Sequence, residues 1–299
     1  MLYLRKLSFM QLLVFLLLYP IIMLISFLPF RVLYLFSDMV YGLVYYIIGY
    51  RKKTVRNNLA NALPHLSEKE RLIIEKKSYR HLCDMFLEMV KTMSISEKEM
   101  DKRFKFTNLD TLTAMEKEGK SIAVMMAHYA SYEWAISLNK YSSLTSYAIY
   151  KKIANKHFDK LVKDIRLKFK AVLITTSETI PTIEKNYRDQ HLGLYGFASD
   201  QSPQLSKTHH WGTFMGLETP VHTGAEMLVK RFDMNVIFLK VKKVKRGYYE
   251  ATFETMFDQP SIVSNYQISD EFLRRVEKQI LEAPEYYLWT HKRWKHKKK

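Results

Sequence analysis

The chain has 299 residues, nearly half of them hydrophobic, so burying a core is no difficulty, and it is long enough for one large α/β domain or two small ones. Its formal net charge of +17 points to anionic partners: nucleic acid, an acidic protein, or an anionic membrane or phospholipid. A single cysteine, Cys83, excludes an intramolecular disulfide and suits a cytosolic body.

Leu7 to Phe30 carries no charge and lies between Lys6 and Arg31. As a helix it spans about 36 Å at roughly 1.5 Å per residue, against a hydrocarbon core of about 30 Å. Pro20 and Pro29 interrupt it, which a membrane helix tolerates better than a soluble one. A secretory signal is the other reading, but no small-residue cleavage site follows. Val32 to Tyr50 stays apolar with one charge, Asp38, and five tyrosines that suit an interface. It reads as an interfacial helix or a second, partly inserted one. Arg51, Lys52, Lys53 and Arg56 outnumber Arg5 and Lys6, which favours a cytoplasmic body. Residues 1–52 are expected to be the membrane anchor and 53–299 the catalytic domain.

Ser67-Glu68-Lys69-Glu70 is a capping box that opens a long helix to about Thr92, and Ser96 begins a weaker one. Phe104 to Phe106 reads as strand, and Asn108 can cap a helix to about Glu118. Ser121 to Ala127 is a short apolar run, a buried strand, and a helical pattern follows His128. Strand and helix then alternate: strand 146–150, helix 157–169, strand 171–174, helix 178–188, strand 192–198. That alternation means βαβ units and a mostly parallel central sheet. Residues 199–220 have no clear period and read as a long functional loop. Helix 223–232, strands 236–241 and 249–257, and a helix from Ser269 that stops before Pro284 complete the pattern.

His128 sits where a strand stops and a helix begins, the edge where open α/β sheets bind ligands. Glu133 lies about a turn further on. Positions five apart on one helix diverge by about 140°. The two therefore meet only with His128 in the loop and Glu133 on the helix, as base and orienter. Tyr150-Lys151-Lys152 follows a strand, with Arg166 beyond it, and cations there can hold phosphate or carboxylate; a solvated basic face is the plain alternative. Asp200 and Gln201 follow strand 192–198 and so face the same sheet edge. Phe214-Met215-Gly216 and Thr223-Gly224 lie downstream, where Gly216 can be a turn residue and Thr223 a cap. Trp289 to Lys295 interleaves aromatics with Lys292, Arg293 and Lys295, which suits a phosphorylated surface or a membrane face. A zinc site from His209, His210 and His222 has no motif behind it. No phosphate-cradling glycine loop is present, so a nucleotide cofactor is not expected.

These blocks, in this order, behind this N-terminus, resemble the late acyltransferases of lipid A biosynthesis, of the lauroyl and myristoyl type, within the lysophospholipid acyltransferase group. The resemblance covers most of the chain. It rests on the membrane helix, Arg56-Asn57-Asn58-Leu59 leading to Pro64, His128 to Glu133, Tyr150-Lys151 with Arg166, and Asp200-Gln201. Phe214-Met215-Gly216, Thr223-Gly224 and the closing block Pro284 to Lys295, its most specific part, complete it. Two positions depart from it. Glu133 stands where many relatives of the wider group have Asp, and Lys151 stands where Arg is frequent; lysine cannot make a forked contact.

The resemblance implies a glycerolipid-acyltransferase-like α/β domain behind a transmembrane helix. It implies transfer of a fatty acyl group from acyl carrier protein, or from a coenzyme A thioester, to a hydroxyl of a phosphorylated glycolipid, a lipid A precursor. The enzyme would lie on the anionic cytoplasmic side of the cell inner membrane and need no metal or other cofactor. His128 is the implied base and Glu133 its orienter. Backbone amides at the helix start are the expected oxyanion donors. Tyr150, Lys151, Arg166, Asp200, Gln201, Thr223 and Arg293 are expected around the substrates. An acyltransferase for another lysolipid or aminolipid is the near alternative. A membrane-tethered nucleic-acid binder is the remote one; it has no binding motif, and nucleic acid is not an expected partner.

Overall fold

A computed structural model describes residues 2–298. Helix α1 (Leu2–Phe27) runs through Pro20 and breaks at Leu28-Pro29, where proline sets the N-cap of α2 (Phe30–Gly42). A π-helical turn, Leu43–Ile48, continues α2 and ends on left-handed Gly49. Met10–Phe27 and Phe30–Ile48 are each long and apolar enough to cross a membrane. The second is amphipathic. Leu33, Ser37, Tyr41 and Tyr45 are buried on the body, while Leu35, Met39, Ile47 and Ile48 face outward.

Helix α3 (Lys52–Ala62) leads into α4 (Glu68–Lys91), whose N-terminus carries the expected capping box: Ser67 and Glu70 satisfy each other's backbone amides. The short α5 (Glu97–Arg103) is capped by Ser96. Strand β1 (Phe104–Thr107) and α6 (Leu109–Lys117) follow. Asn108 occupies the N-cap of α6 in a left-handed conformation without a side-chain cap; its amide instead donates to the Phe253 carbonyl at 3.3 Å.

The remaining strands are β2 (Ile122–Met126), β3 (Thr145–Tyr150), β4 (Val172–Thr175), β5 (Gly193–Ala198), β6 (His210–Phe214), β7 (Leu217–Val221), β8 (Asn235–Lys245) and β9 (Tyr248–Thr255). Helices α7 (Lys156–Leu167), α8 (Thr179–Arg188), α9 (Gly224–Arg231) and α10 (Gln267–Glu282) connect and cover them. Seven strands form one sheet in the order β1-β9-β8-β2-β5-β3-β4. All neighbours are parallel except the β8–β9 hairpin, which turns at Arg246-Gly247. Strand β2 is central, and Ile122, Ala123, Val124 and Met125 are fully buried. A continuous apolar run without alternation is what a parallel strand covered on both faces requires.

Two expectations change. The segment after His128 is a 3₁₀ helix, Tyr132–Tyr141, because Ala130 takes a positive φ of 49° and the chain leaves the turn too tightly for an α-helix. Residues 199–220 are not one irregular loop. They hold the β6–β7 hairpin, whose Met215-Gly216 turn has both residues at positive φ, as a two-residue hairpin loop demands. The hairpin's short strands carry glycine and proline, which hid their period.

Candidate active site

Strands β2, β5 and β3 lie side by side and parallel, so their C-terminal ends share one sheet edge. Met126 pairs with Ala198 in register. His128 and Asp200 each come two residues further on, and the register therefore brings them together. The Asp200 carboxylate takes the His128 backbone N–H at 3.0 Å and lies 2.7 Å from its Nδ1. Asp200 is 1% exposed. Burial alone would depress the imidazole, but the charge and hydrogen bond of Asp200, with Glu133 adding charge, raise its pKa above the ordinary value. Burial alone would raise Asp200, and the contacts to His128 instead hold it below the usual carboxylate range.

The base-and-orienter expectation is thus corrected in its second member. Glu133 does not hold the imidazole. It sits on the 3₁₀ segment and forms a bidentate pair with Arg166 of α7, at 2.9 and 3.0 Å to Nη2 and 3.3 Å to Nε. A guanidinium fork matches a carboxylate geometrically, and an imidazole on a diverging turn does not. The backbone amides of the turn that precedes the 3₁₀ helix are engaged. The N–H of His128 goes to Asp200, that of Tyr129 to Ala127, and that of Ala130 to Tyr286.

His128 and Tyr132 stand between two openings. On one side is a cavity of about 280 Å³ walled by Ile136, Leu138, Ala148, Ile149, Leu194 and Gly196 among others. Its polar groups include Glu133, Tyr150, Lys151 and Arg166, so the structure gathers four of the expected site residues around one apolar cavity beside His128. Tyr150 is buried against Asp159, and Lys151 is exposed. On the other side is a narrow cleft of about 20 Å³ between α4 and the closing block.

Gln201 and Thr223 line neither opening. Thr223 is buried at the start of α9. Arg293 is a correction too. It is 1% exposed, with its guanidinium 4.8 Å from the Phe214 ring and, among the described residues, no hydrogen-bond partner on any of its three nitrogens. Buried in this way it cannot be part of a membrane face; Lys292 and Lys295 beside it are exposed. The buried position comes from its neighbours. Trp289 and Trp294 stack at 5.9 Å, and Trp294 stacks on Phe214 at 5.6 Å.

The closing block lies along the turn that carries His128. Leu288 N–H donates to the His128 carbonyl at 3.1 Å, and Tyr129 bridges Tyr287. From α3, the Asn58 amide donates to the carbonyls of Trp289 and His291 at 2.7 and 2.6 Å. Arg56-Asn57-Asn58-Leu59 and the closing block thus act as one clamp. Two residues of the closing block that were not expected at the site lie near the pair. His291 accepts from Ser202 N–H, and burial pushes its imidazole down to about 4. Burial raises the Tyr287 phenol well above its usual value. Spacing held no signal for these; only the fold brings them near Asp200. Among the described residues no group of three His, Cys, Asp or Glu side chains could hold a metal ion.

The chain is thus an α/β protein with a His–Asp pair at the edge of a mostly parallel sheet, beside an apolar cavity and behind two apolar helices. Residues 4–296 match the family model for bacterial lipid A biosynthesis acyltransferase, and the chain belongs to that family of acyltransferases. It is also similar to a lipid A biosynthesis acyltransferase of Haemophilus influenzae. The two are 23% identical over 284 residues, covering 90% of this chain and 83% of that protein.

Proposed function

We propose that the protein transfers a fatty acyl group from an acyl carrier protein or coenzyme A thioester to a hydroxyl of a lipid A precursor. The reaction is placed at the cytoplasmic face of the inner membrane. The observation that carries this reading is His128, with Asp200 behind it, at the wall of an apolar cavity. An acyl chain lying in the cavity would bring its thioester carbonyl to the imidazole. His128 takes the acceptor's hydroxyl proton through Nε2, because Nδ1 belongs to Asp200. The new ester C–O bond forms, the C–S bond breaks, and His128 returns the proton to the leaving thiolate. Asp200 fixes the tautomer and stabilises the imidazolium, as the acid of a catalytic triad does.

Arg166, which lines the cavity with Lys151, is aimed by Glu133. It supplies positive charge where the oxyanion develops, the role that preorganised donors fill in acyl transfer. Lys151, exposed at the end of β3, suits the phosphate of a carrier's prosthetic arm or of coenzyme A as a point charge. The net charge of +17 suits an acidic carrier and a phosphorylated acceptor alike.

The test is acyl transfer in vitro, with lauroyl-coenzyme A as donor and the lipid A precursor pool from a deletion strain as acceptor. His128→Ala is expected to lower turnover by about two to four orders of magnitude with melting unchanged. Near-normal turnover in a folded His128→Ala variant refutes the assignment. Mass spectrometry of lipids from the deletion strain identifies the acceptor.

A further inference from the structure

Both apolar helices are long enough to cross a bilayer, but the body holds each of them along its length. On α1, Gln11, Phe15, Tyr19 and Ser26 recur at helical spacing on the sheltered side, while Leu13, Leu17, Ile21 and Leu24 are exposed. At the near end of this stretch the Gln11 carbonyl accepts from the Asn155 amide at 3.3 Å. The Phe15 ring packs against His157 and Phe158 of α7, at 5.5 and 5.4 Å. At the far end the Ser26 carbonyl accepts from the Lys91 ammonium at 2.7 Å and from the Ser94 hydroxyl. The helix between Gln11 and Ser26 is about 22 Å long at 1.5 Å per residue, most of a hydrocarbon core of about 30 Å. Helix α1 therefore lies along α7 and the end of α4 instead of projecting from them.

That contact decides what a crossing would carry with it. The start of α7 is charged on its outer side: Lys156 is exposed, and Lys160 pairs with Asp164 at 2.7 Å with both side chains mostly in solvent. With α1 upright in a bilayer, Asn155 and the first turns of α7 would go into the hydrocarbon beside Gln11 and Phe15, and those charges would face lipid. Ionisable groups at that depth are costly unless they face protein or a water-filled cavity. Helix α2 meets the same objection. Asp38 falls midway along Phe30–Ile48, is 45% exposed, and pairs with Arg246 of the body at 2.9 Å. A crossing α2 would place that pair at the bilayer centre.

We propose that α1 and α2 do not cross the membrane but lie in the plane of one leaflet, as two amphipathic helices that seat the body on an anionic lipid surface. Their outward faces suit that occupant. Leu17, Leu24, Leu35 and Met39 are exposed apolar groups on the sides turned away from the body. Exposed Arg31 follows the break between the helices, and exposed Arg51 and Lys53 follow the second helix, where anionic headgroups would meet them. Tyr46 and Tyr50, also exposed, suit the same level. In-plane helices of this kind sink about 5–10 Å into the boundary between headgroups and acyl chains. That leaves α7 and Arg246 outside the hydrocarbon. The leaflet is the cytoplasmic one by the acyl-transfer reading above; the in-plane placement stands without that reading.

The test uses the full-length chain in vesicles of phosphatidylethanolamine and phosphatidylglycerol. Leu17→Cys and Met39→Cys each carry a bimane fluorophore; the natural Cys83 is buried and should stay unlabelled. Spin-labelled lipid quenches either from just below the headgroup or from the end of the acyl chain. The shallow label should quench both positions more strongly than the deep one. Turnover by each labelled variant should match that of the wild type; a variant that loses it is replaced by a label at Leu24 or Leu35, on the same faces. In addition, an N-terminal epitope tag on the otherwise native chain should be digested with the body in inverted vesicles and spared with it in spheroplasts.

A tag digested in spheroplasts overturns the proposal, since it marks a single crossing by α1. Stronger quenching from the chain end at either helix also overturns it, since it marks a membrane-spanning hairpin. Labels that neither lipid quenches, on a chain that forms a soluble dimer, overturn it in favour of a second copy on these faces. None of these results touches the acyl-transfer reading, which stands or falls with turnover by wild type and His128→Ala.

Discussion

Replacing Asp200 by Asn isolates what the carboxylate does for His128. The amide keeps an oxygen for the His128 backbone N–H, so the turn should hold. What goes is a negative charge 2.7 Å from Nδ1. An opposite charge at such range shifts a pKa by about 1–3 units, each worth about 1.4 kcal/mol. His128 must be neutral to accept a proton, and its folded pKa is raised, so activity falls as pH drops through a value above the ordinary one. Asp200→Asn should move that acid limb down by about 1–3 pH units. It should also cut the plateau rate by about two to four orders of magnitude, since the imidazolium loses its support.

Stability follows the same linkage. The raised His128 contributes stability that is complete below its unfolded pKa and lost as pH rises through the folded value. The depressed Asp200 contributes stability present above its unfolded pKa and lost as pH falls through the folded value. The melting difference between wild type and Asp200→Asn should therefore peak between about pH 4 and pH 6.5 and shrink on either side. Glu133→Gln is the control. It breaks the fork to Arg166 and should cost activity, but Glu133 reaches His128 by charge alone, so the limb should move less. The assay is kcat/KM against pH for all three proteins. A limb that moves as far in Glu133→Gln as in Asp200→Asn, or that stays put in Asp200→Asn, would refute the assignment of Asp200.

Three further outcomes are expected. Gly196→Leu projects into the apolar cavity from the middle of β5, where a Cβ meets only Met126 and the Tyr147 carbonyl at ordinary contact distance. Competition among acyl-coenzyme A chain lengths should shift toward shorter chains, by about fourfold per excluded methylene at about 0.8 kcal/mol each; unchanged selectivity would place the chain elsewhere. Neutralising exposed Lys292 and Lys295 should weaken binding to anionic vesicles more at low salt than at high, while Arg293→Met should leave vesicle binding alone and change the melting temperature. Protease should digest the body in inverted membrane vesicles and spare it in spheroplasts; the opposite pattern would reverse the topology.

Much of the fold was legible because its signals are local. The capping box at Ser67, the apolar run of β2 and the alternation from Thr145 to Ala198 each declare an element within a few residues. The site was half legible. His128 and Asp200 both follow strands at the same sheet edge, and only the parallel register of β2 on β5 turns that into contact. Sequence spacing favoured Glu133 because it is near in the chain, whereas the partner that holds the imidazole is 72 residues away. Arg293 read as surface because its neighbours are Lys292 and Lys295. It is buried against the Phe214 ring of a distant hairpin, which periodicity cannot report in so short an aromatic block.

The anchor and the site are joined through α4. One face of α4 carries Asp84 and Glu88, both buried. Asp84 takes Ser37 of α2 at 2.7 Å and Arg246 of the β8–β9 turn, which also reaches Asp38. Glu88 accepts from Tyr34 of α2 and Tyr249 of β9, both at 2.8 Å, and burial raises its carboxyl to about 7. Such charges are costly to bury unless every partner is in place. A tilt of α2 relative to the sheet would strip them, so the anchor's orientation and the body's are fixed together. Further back along α4, toward its N-terminus, His81 and Ser78 line the cleft at His128. Helix α4, against which α2 packs, is therefore also a wall of the cleft beside His128.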